Sequence, residues 1–402
     1  MRKEEKQEYE RKENRARKYA AVFFAVFLAA GLIGNGTLQL PDLTGPVTLS
    51  GIQSSYSFTL CGKRFTTGLN GLMAKLLHLP GLFEDTNIYL TDDGTIVSCY
   101  DETSTDYEFE QTLSLYEFLK EQGTDLLYVS EPTKYTDDQW FYEQFGKESY
   151  VNRNTDVFLA RLTEAEIPCM DLRERFDMQN RNAGDLFYRT DHHWTTETGF
   201  LAAKEIAEEL NARFGMRIDL SVYDDPRYEK TYYKACWLGE QGRKVGRTYV
   251  GLDDFCQIKP AFQTDMTLTK FDGTPVAAGS FADVFINEDF MQQNSPSDLY
   301  EGHSWHYSYD YEGFNAKCVN NEVSSGKILI LGDSFDHVMH PFLALGVHEA
   351  DFMILRFFDD GFDLRGRIAE NGYDAVVISY AQFMIGAHDT EGSSNYRMFC
   401  FE

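Results

Sequence analysis

One apolar run stands apart from the rest of the chain. Between Tyr19 and Leu40 only Asn35, Thr37 and Gln39 are clearly polar, and the densest part is Ala20 to Ile33. Twenty-two helical residues at about 1.5 Å each span roughly 33 Å, enough for a bilayer core of about 30 Å. Beyond it the apolar segments are short and alternate in period. Residues 41–84 mix Gly, Ser and Thr with short apolar pieces and read as a stalk, with one helix expected over 65–78. Strands at 87–90 and 95–98 flank Thr91-Asp92-Asp93-Gly94, a hairpin signal. A helix over 111–122 carries the stripe Leu115, Phe118, Leu119 and ends at Gly123. A strand at 125–130, a helix at 155–166 and a strand at 167–172 follow. A longer helix over 196–214, capped by Thr195, shows Phe200, Ala203, Ile206, Ala207 and Leu210 at helical spacing.

Residues 222–325 break this rhythm. They are rich in Gly, Thr, Tyr and Asp, with short strands expected at 249–252, 266–269 and 283–286, and read as a β-rich insertion. The strand–helix order then resumes with strands at 327–331 and 351–357, a helix at 361–371 and a strand at 374–379. Strand–helix–strand alternation predicts an α/β fold with a parallel central sheet. The expected organisation is a basic tail (1–18), an apolar span (19–40), a stalk (41–84) and an α/β domain (85–402) that holds the insertion.

Charge sharpens the picture at one end. The 402 residues carry −27, but residues 1–18 hold eight Lys or Arg against five Glu, leaving −30 on the remainder. Basic residues before an apolar span put the N-terminus in the cytoplasm and the rest outside it. A cleaved signal peptide, with Gly34-Asn35-Gly36 as the small-residue site, leads to the same placement of 41–402. An acidic body excludes nucleic acid as a ligand, since phosphate binding needs the opposite sign. Seven cysteines lie scattered without C-x-x-C spacing, so no zinc or redox motif is present and no disulfide pairing follows.

Two short segments carry chemistry. Lys327-Ile328-Leu329-Ile330-Leu331 is a buried-strand pattern that runs into Gly332-Asp333-Ser334-Phe335. It places Ser334 at a strand's carboxyl end, where ligands of open α/β sheets sit. A serine nucleophile needs a base and an orienting carboxylate. Asp191-His192-His193-Trp194 offers both, with Asp191 and His193 two apart and able to meet after a slight backbone bend. Asp and two His also suit zinc, with His337 and His340 as further candidate ligands, so a metal site is the competing reading of this segment.

Together, Gly-Asp-Ser-Phe after a strand and Thr190-Asp-His-His-Trp-Thr195 opening a helix resemble the DHHW proteins, relatives of the alginate O-acetylation proteins in the SGNH-hydrolase-like superfamily. There, as here, Asp and His precede the serine in the chain. The resemblance extends in outline over about 50–402 and takes in the early hairpin and Pro132-Thr133-Lys134. It implies a three-layer α/β/α fold in which Ser334 is the nucleophile, His193 the base and Asp191 its partner. The backbone N–H of Ser334 or Phe335 is the expected oxyanion donor. Lys134, Arg356 and Tyr380, at predicted strand ends, are candidates for lining the pocket. No metal or other cofactor is expected. The implied function is acyl (acetyl) transfer to, or ester hydrolysis on, an envelope polysaccharide at the outer face of the membrane, with an acyl donor that a membrane-bound acyltransferase could supply. The alternative is a non-catalytic envelope protein of the same fold that binds glycan or a partner.

Overall fold

The computed structural model describes residues 67–68, 71–72, 87–91, 93–288, 299, 305–309, 313–359, 361–390 and 392–402. The chain divides into two units, 1–70 and 71–402. The apolar span, the basic tail and the helix expected at 65–78 fall almost wholly outside the described residues; among those described, no helix is long and apolar enough to cross a membrane.

The second unit is built on an eight-stranded sheet. Its strands are β3 (Asp125–Glu131), β4 (Cys169–Asp171), β7 (Met266–Lys270), β8 (Pro275–Gly279), β9 (Ala316–Asn320), β10 (Lys327–Leu331), β11 (Glu349–Met353) and β12 (Ala375–Ala381). They run in the order β4-β3-β12-β10-β11-β9-β7-β8. The first five are parallel, and β9, β7 and β8 join antiparallel. The sheet is therefore mixed rather than parallel. All seven residues of β12 are buried, and β10 is buried from Ile328 onward. Such unbroken apolar runs are what a parallel strand covered on both faces requires.

A short hairpin, β1 (Tyr89–Leu90) with β2 (Ile96–Val97), stands beside this sheet, as does a ribbon of β5 (Tyr228–Trp237) with β6 (Asp253–Pro260). The segment 222–325 is thus only in part a separate β region, because its last three strands extend the central sheet. Two of its expected strands are helical. Residues 247–250 form a helical turn before β6, and Phe281–Phe285 is a helix with a Ser280/Asp283 capping box. The strand expected at 351–357 starts earlier, at Glu349, and ends at Met353, where Leu355–Phe357 turns into a 3₁₀ helix.

Helices α1 (Asp106–Gln122), α2 (Val151–Glu164), α3 (Thr196–Phe214) and α4 (Leu364–Asn371) complete the frame. Helix α3 starts where Thr195 Oγ1 accepts the Thr198 N–H at 3.2 Å and stops at Gly215 in a left-handed conformation. Its buried stripe includes Phe200, Ala203, Ile206, Ala207 and Leu210. Near its start, Gly199 lies against the backbone of Val338, where a Cβ would sit 2.6 Å from the Val338 carbonyl oxygen. This contact lets the helix that follows His193 lie directly on the segment that follows Ser334. Gly199→Ala in an ordinary helix would stabilise by up to about 1 kcal/mol. Here the added methyl forces the two segments apart, so urea unfolding is expected to show a loss of about 1–3 kcal/mol.

Candidate active site

Strand β10 delivers Ser334 to the carboxyl edge of the sheet. Gly332 is required at the turn, because a Cβ there would overlap the Asp336 carboxylate and approach Phe352 to 2.6 Å. Asp333 then caps the 3₁₀ turn Ser334–Val338: its Oδ1 accepts the Phe335 N–H at 2.8 Å, while Asp336 Oδ2 accepts the Asp333 N–H at 2.8 Å. Ser334 is buried, 7% exposed.

The segment Thr190–Trp194 bends rather than running straight. Asp191 Oδ1 accepts the backbone N–H of His193 at 3.2 Å, an Asx-type turn that folds the carboxylate toward the ring. The same oxygen lies 2.6 Å from His193 Nδ1, and His193 Nε2 lies 2.9 Å from Ser334 Oγ. The structure therefore brings Asp191, His193 and Ser334 into one hydrogen-bonded line. Asp191 Oδ2 accepts the Glu240 N–H at 2.8 Å. Trp194 Nε1 donates to the Phe335 carbonyl at 2.9 Å, tying this segment to the serine turn.

Electrostatics set the protonation of the pair. Burial alone would raise the Asp191 carboxyl, but the attraction and hydrogen bond of His193, with His192 and the Glu240 N–H, hold it well below the usual carboxylate range. His193 is pushed well below the ordinary histidine value, first by burial and then by His192 and His306, against the pull of Asp191. At neutral pH the pair is carboxylate and neutral imidazole, with Nε2 free to take a proton from Ser334.

Comparison with known proteins follows from this geometry. Residues 102–222 match the ALGX family model, described as an SGNH hydrolase-like domain of the acetyltransferase AlgX. This part of the chain is similar to an SGNH hydrolase-like domain. The chain is similar in fold to Bacillus cereus PatB1 solved with a sulfonyl adduct, at 21% identity and TM-score 0.58, over 78% of this chain and 98% of that one. It is also similar to a DHHW family protein from Eubacterium siraeum, at 16% identity and TM-score 0.52, over 77% and 93% of the two chains. No curated protein matches it in sequence.

The remaining candidate site residues divide. The Phe335 N–H is committed to Asp333 and does not face an oxyanion, although the Phe335 ring lies 5.0 Å from that of His193. Lys134 is buried with Nζ bonded to the carbonyls of Ile96, at 2.8 Å, and Arg189, at 3.3 Å. Burial lowers its pKa to about 8 against the pull of Asp253 and Asp191, and its bonds tie β2 to the Asp191 segment. Tyr380 is fully buried and gives its hydroxyl to the Met398 carbonyl at 2.5 Å, so it lines no pocket. Arg356 is half-buried, with Nη1 2.7 Å from Asn395 Oδ1. Neither His337 nor His340 joins the group of metal-capable atoms formed by Asp191, His192 and His193. His340 stacks on Phe352 instead.

Three contributors escaped sequence reasoning because all come from the insertion. The Glu240 N–H supports Asp191. Asp253 takes the N–H groups of Arg189 and Thr190 at 2.8 and 2.9 Å. His306 lies against His193. No motif marks any of them. A small cavity of about 20 Å³ opens beside His192 and Phe335, with Tyr100, Thr133 and Phe383 among its walls.

Beneath the serine turn lies a second carboxyl group. Glu131, Asp333 and Asp336 are all buried, and their ligand-capable oxygens fall within 4.8 Å of one another. Burial raises all three, most strongly Glu131 and Asp336; the charge of Asp333 raises both of these further, and Asp336 also raises Glu131. The folded state thus holds protons that an unfolded chain releases near pH 4. It binds more protons than the unfolded state, so stability from this cluster falls as pH rises through that range. Asp336→Asn keeps an oxygen for the Asp333 N–H while removing one carboxyl. Its urea midpoint at pH 7 is expected to equal or exceed the wild type, with the advantage shrinking toward pH 4. A clear loss at pH 7 would mean that the fold holds Asp336 as a carboxylate.

Proposed function

We propose that the protein is a cell-envelope serine O-acyl (acetyl) transferase or esterase acting on a polysaccharide. The observation that carries this reading is the unbroken line from Asp191 through His193 to Ser334, at 2.6 and 2.9 Å. These distances lie within the reach that proton transfer between nucleophile and base requires. The family model over 102–222, which names an acetyltransferase, supports the same chemistry.

In this reading Ser334 Oγ attacks the acyl carbonyl as His193 Nε2 takes its proton. The developing imidazolium is stabilised by the Asp191 carboxylate. The proton passes to the departing oxygen, leaving an acyl-serine. A sugar hydroxyl, or water, then gives its proton to His193 and takes the acyl group. The Ser334 N–H, at the start of the 3₁₀ turn, is the default oxyanion donor. Transfer and hydrolysis differ in which acceptor enters, and the cavity beside His192 and Phe335 is where a sugar would meet aromatic walls. The apolar span at 19–40 would hold the domain at the outer membrane face, beside a membrane-bound source of acyl groups.

The test is covalent and kinetic. A fluorophosphonate is expected to label the wild type on Ser334, with acetyl release from a chromogenic ester falling at least about 10³-fold in Ser334→Ala, as for nucleophile removal in triad enzymes. A sulfonyl fluoride is a second probe, chosen because PatB1 was solved with a sulfonyl adduct. Absence of labelling, or full turnover in Ser334→Ala, would sink the proposal. Purified protein with stoichiometric zinc that is lost in His193→Ala would favour the metal reading instead.

A further inference from the structure

The serine turn is gripped by a side chain that acyl transfer does not itself consume. His306 lies in the 3₁₀ turn Trp305–Ser308 and is wholly buried. Its Nε2–H donates to the Ser334 carbonyl at 2.5 Å. Its ring stacks on that of His193, with centroids 4.1 Å apart and planes 17° from parallel. The N–H of the same Ser334–Phe335 peptide is held by Asp333, and the next carbonyl, that of Phe335, takes Trp194 Nε1–H. Three side chains from three parts of the chain thus hold two successive peptides at the nucleophile.

We infer that His306 is a positioning residue: its N–H fixes the Ser334 carbonyl, and hence the seat of Oγ, while its face fixes the plane of the His193 ring. This rests on the acyl-transfer reading above. The tautomer follows from the partner, since a carbonyl only accepts, so Nε2 carries the hydrogen. Nδ1 is buried and has no hydrogen-bond partner among the described residues. A proton there would be an unpaired buried charge, so the ring is neutral. Burial accordingly lowers its pKa to about 4, against the pull of the Ser334 carbonyl and Asp191.

Neutrality matters to the neighbour. His193 becomes an imidazolium during each transfer, and a second cation stacked on it would oppose that charge. A neutral ring presents its π face instead. The groups that share this setting are Asp191, His192, Tyr307 and His337. The His192 ring also lies against that of His193, with centroids 3.9 Å apart.

The two contacts of His306 separate by substitution. His306→Phe keeps a ring on His193 but deletes the N–H; His306→Gln keeps a donor but deletes the ring. In the full chain, His306→Phe is expected to lower kcat for a chromogenic ester by about 10²-fold, the scale of a misplaced reacting group, with KM little changed. His306→Gln should recover part of that loss. Independently of any substrate, the His193 Cε1–H followed by NMR with labelled histidine should titrate at lower pH in His306→Gln, which loses the ring facing the imidazolium, than in the wild type or in His306→Phe. Wild-type kcat with an unmoved His193 titration in both variants overturns the inference, as does a kcat loss that only follows the folded fraction. Full turnover in Ser334→Ala would instead defeat the acyl-transfer reading, and the His193 titration would still decide whether His306 positions that ring.

Discussion

Burying the Asp191 carboxylate is the constraint on which the site depends. An ionised carboxylate with no exposed surface is costly unless every lone pair finds a donor. Asp191 meets the requirement with the His193 ring, the His193 N–H and the Glu240 N–H. Each partner has a structural consequence. The His193 N–H needs the bend at 190–193, which aims the imidazole at Ser334. The Glu240 N–H needs the insertion folded against this loop. Asp253 answers from β6 by taking the Arg189 and Thr190 N–H groups, and buried Lys134 takes the carbonyls that the bend leaves behind. The charge that faces the His193 ring therefore also fixes the path of the chain around it.

The site also shows why a long insertion sits between base and nucleophile. Asp191 and His193 enter along the start of α3, and Ser334 arrives on β10, 141 residues after His193. Two close contacts join these elements directly, Gly199 on Val338 and Trp194 on Phe335. The insertion closes the remaining sides, with residues 239–240 behind the carboxylate, β6 under the bend and His306 over the imidazole. A water-excluding wall around a proton-transfer pair strengthens each interaction inside it. The neighbouring residues of the two segments, His192 and Phe335, line a small cavity.

What was legible in the sequence follows from range. Features fixed by neighbours in the chain were readable: the strand at 327–331, the cap at Thr195, the full extent of α3 and the pairing of Asp191 with His193. Features fixed across the fold were not. Val250 and Phe285 looked like strand residues because short apolar runs have no period long enough to separate helix from strand; their glycine and Ser280 caps decided for helix. Phe335 looked like an oxyanion donor until its N–H met the side chain of Asp333, two residues away. Tyr380 sat at a strand end as expected, but β12 is central and buries it. His306 had no pattern at all, because its importance comes only from what it touches.

Two carboxyl groups near one serine end in opposite states, and counting donors explains the difference. Asp191 is as buried as Glu131 or Asp336. It stays ionised because its donors include an imidazole that can itself become charged, and because no second carboxyl shares its site. In the lower cluster each carboxyl faces another. Glu131 accepts the Ser379 hydroxyl at 2.7 Å, and its carboxyl and that of Asp336 interact with each other, one as proton donor and the other as acceptor. Like charges at that spacing in a dry interior cannot all ionise, so protons remain. The serine turn thus rests on a layer that is largely neutral. In the acyl transfer proposed above, a fully ionised layer there would oppose negative charge building on the substrate oxygen. Protons held below Ser334 and a carboxylate behind His193 would set the field in the direction that such a reaction needs.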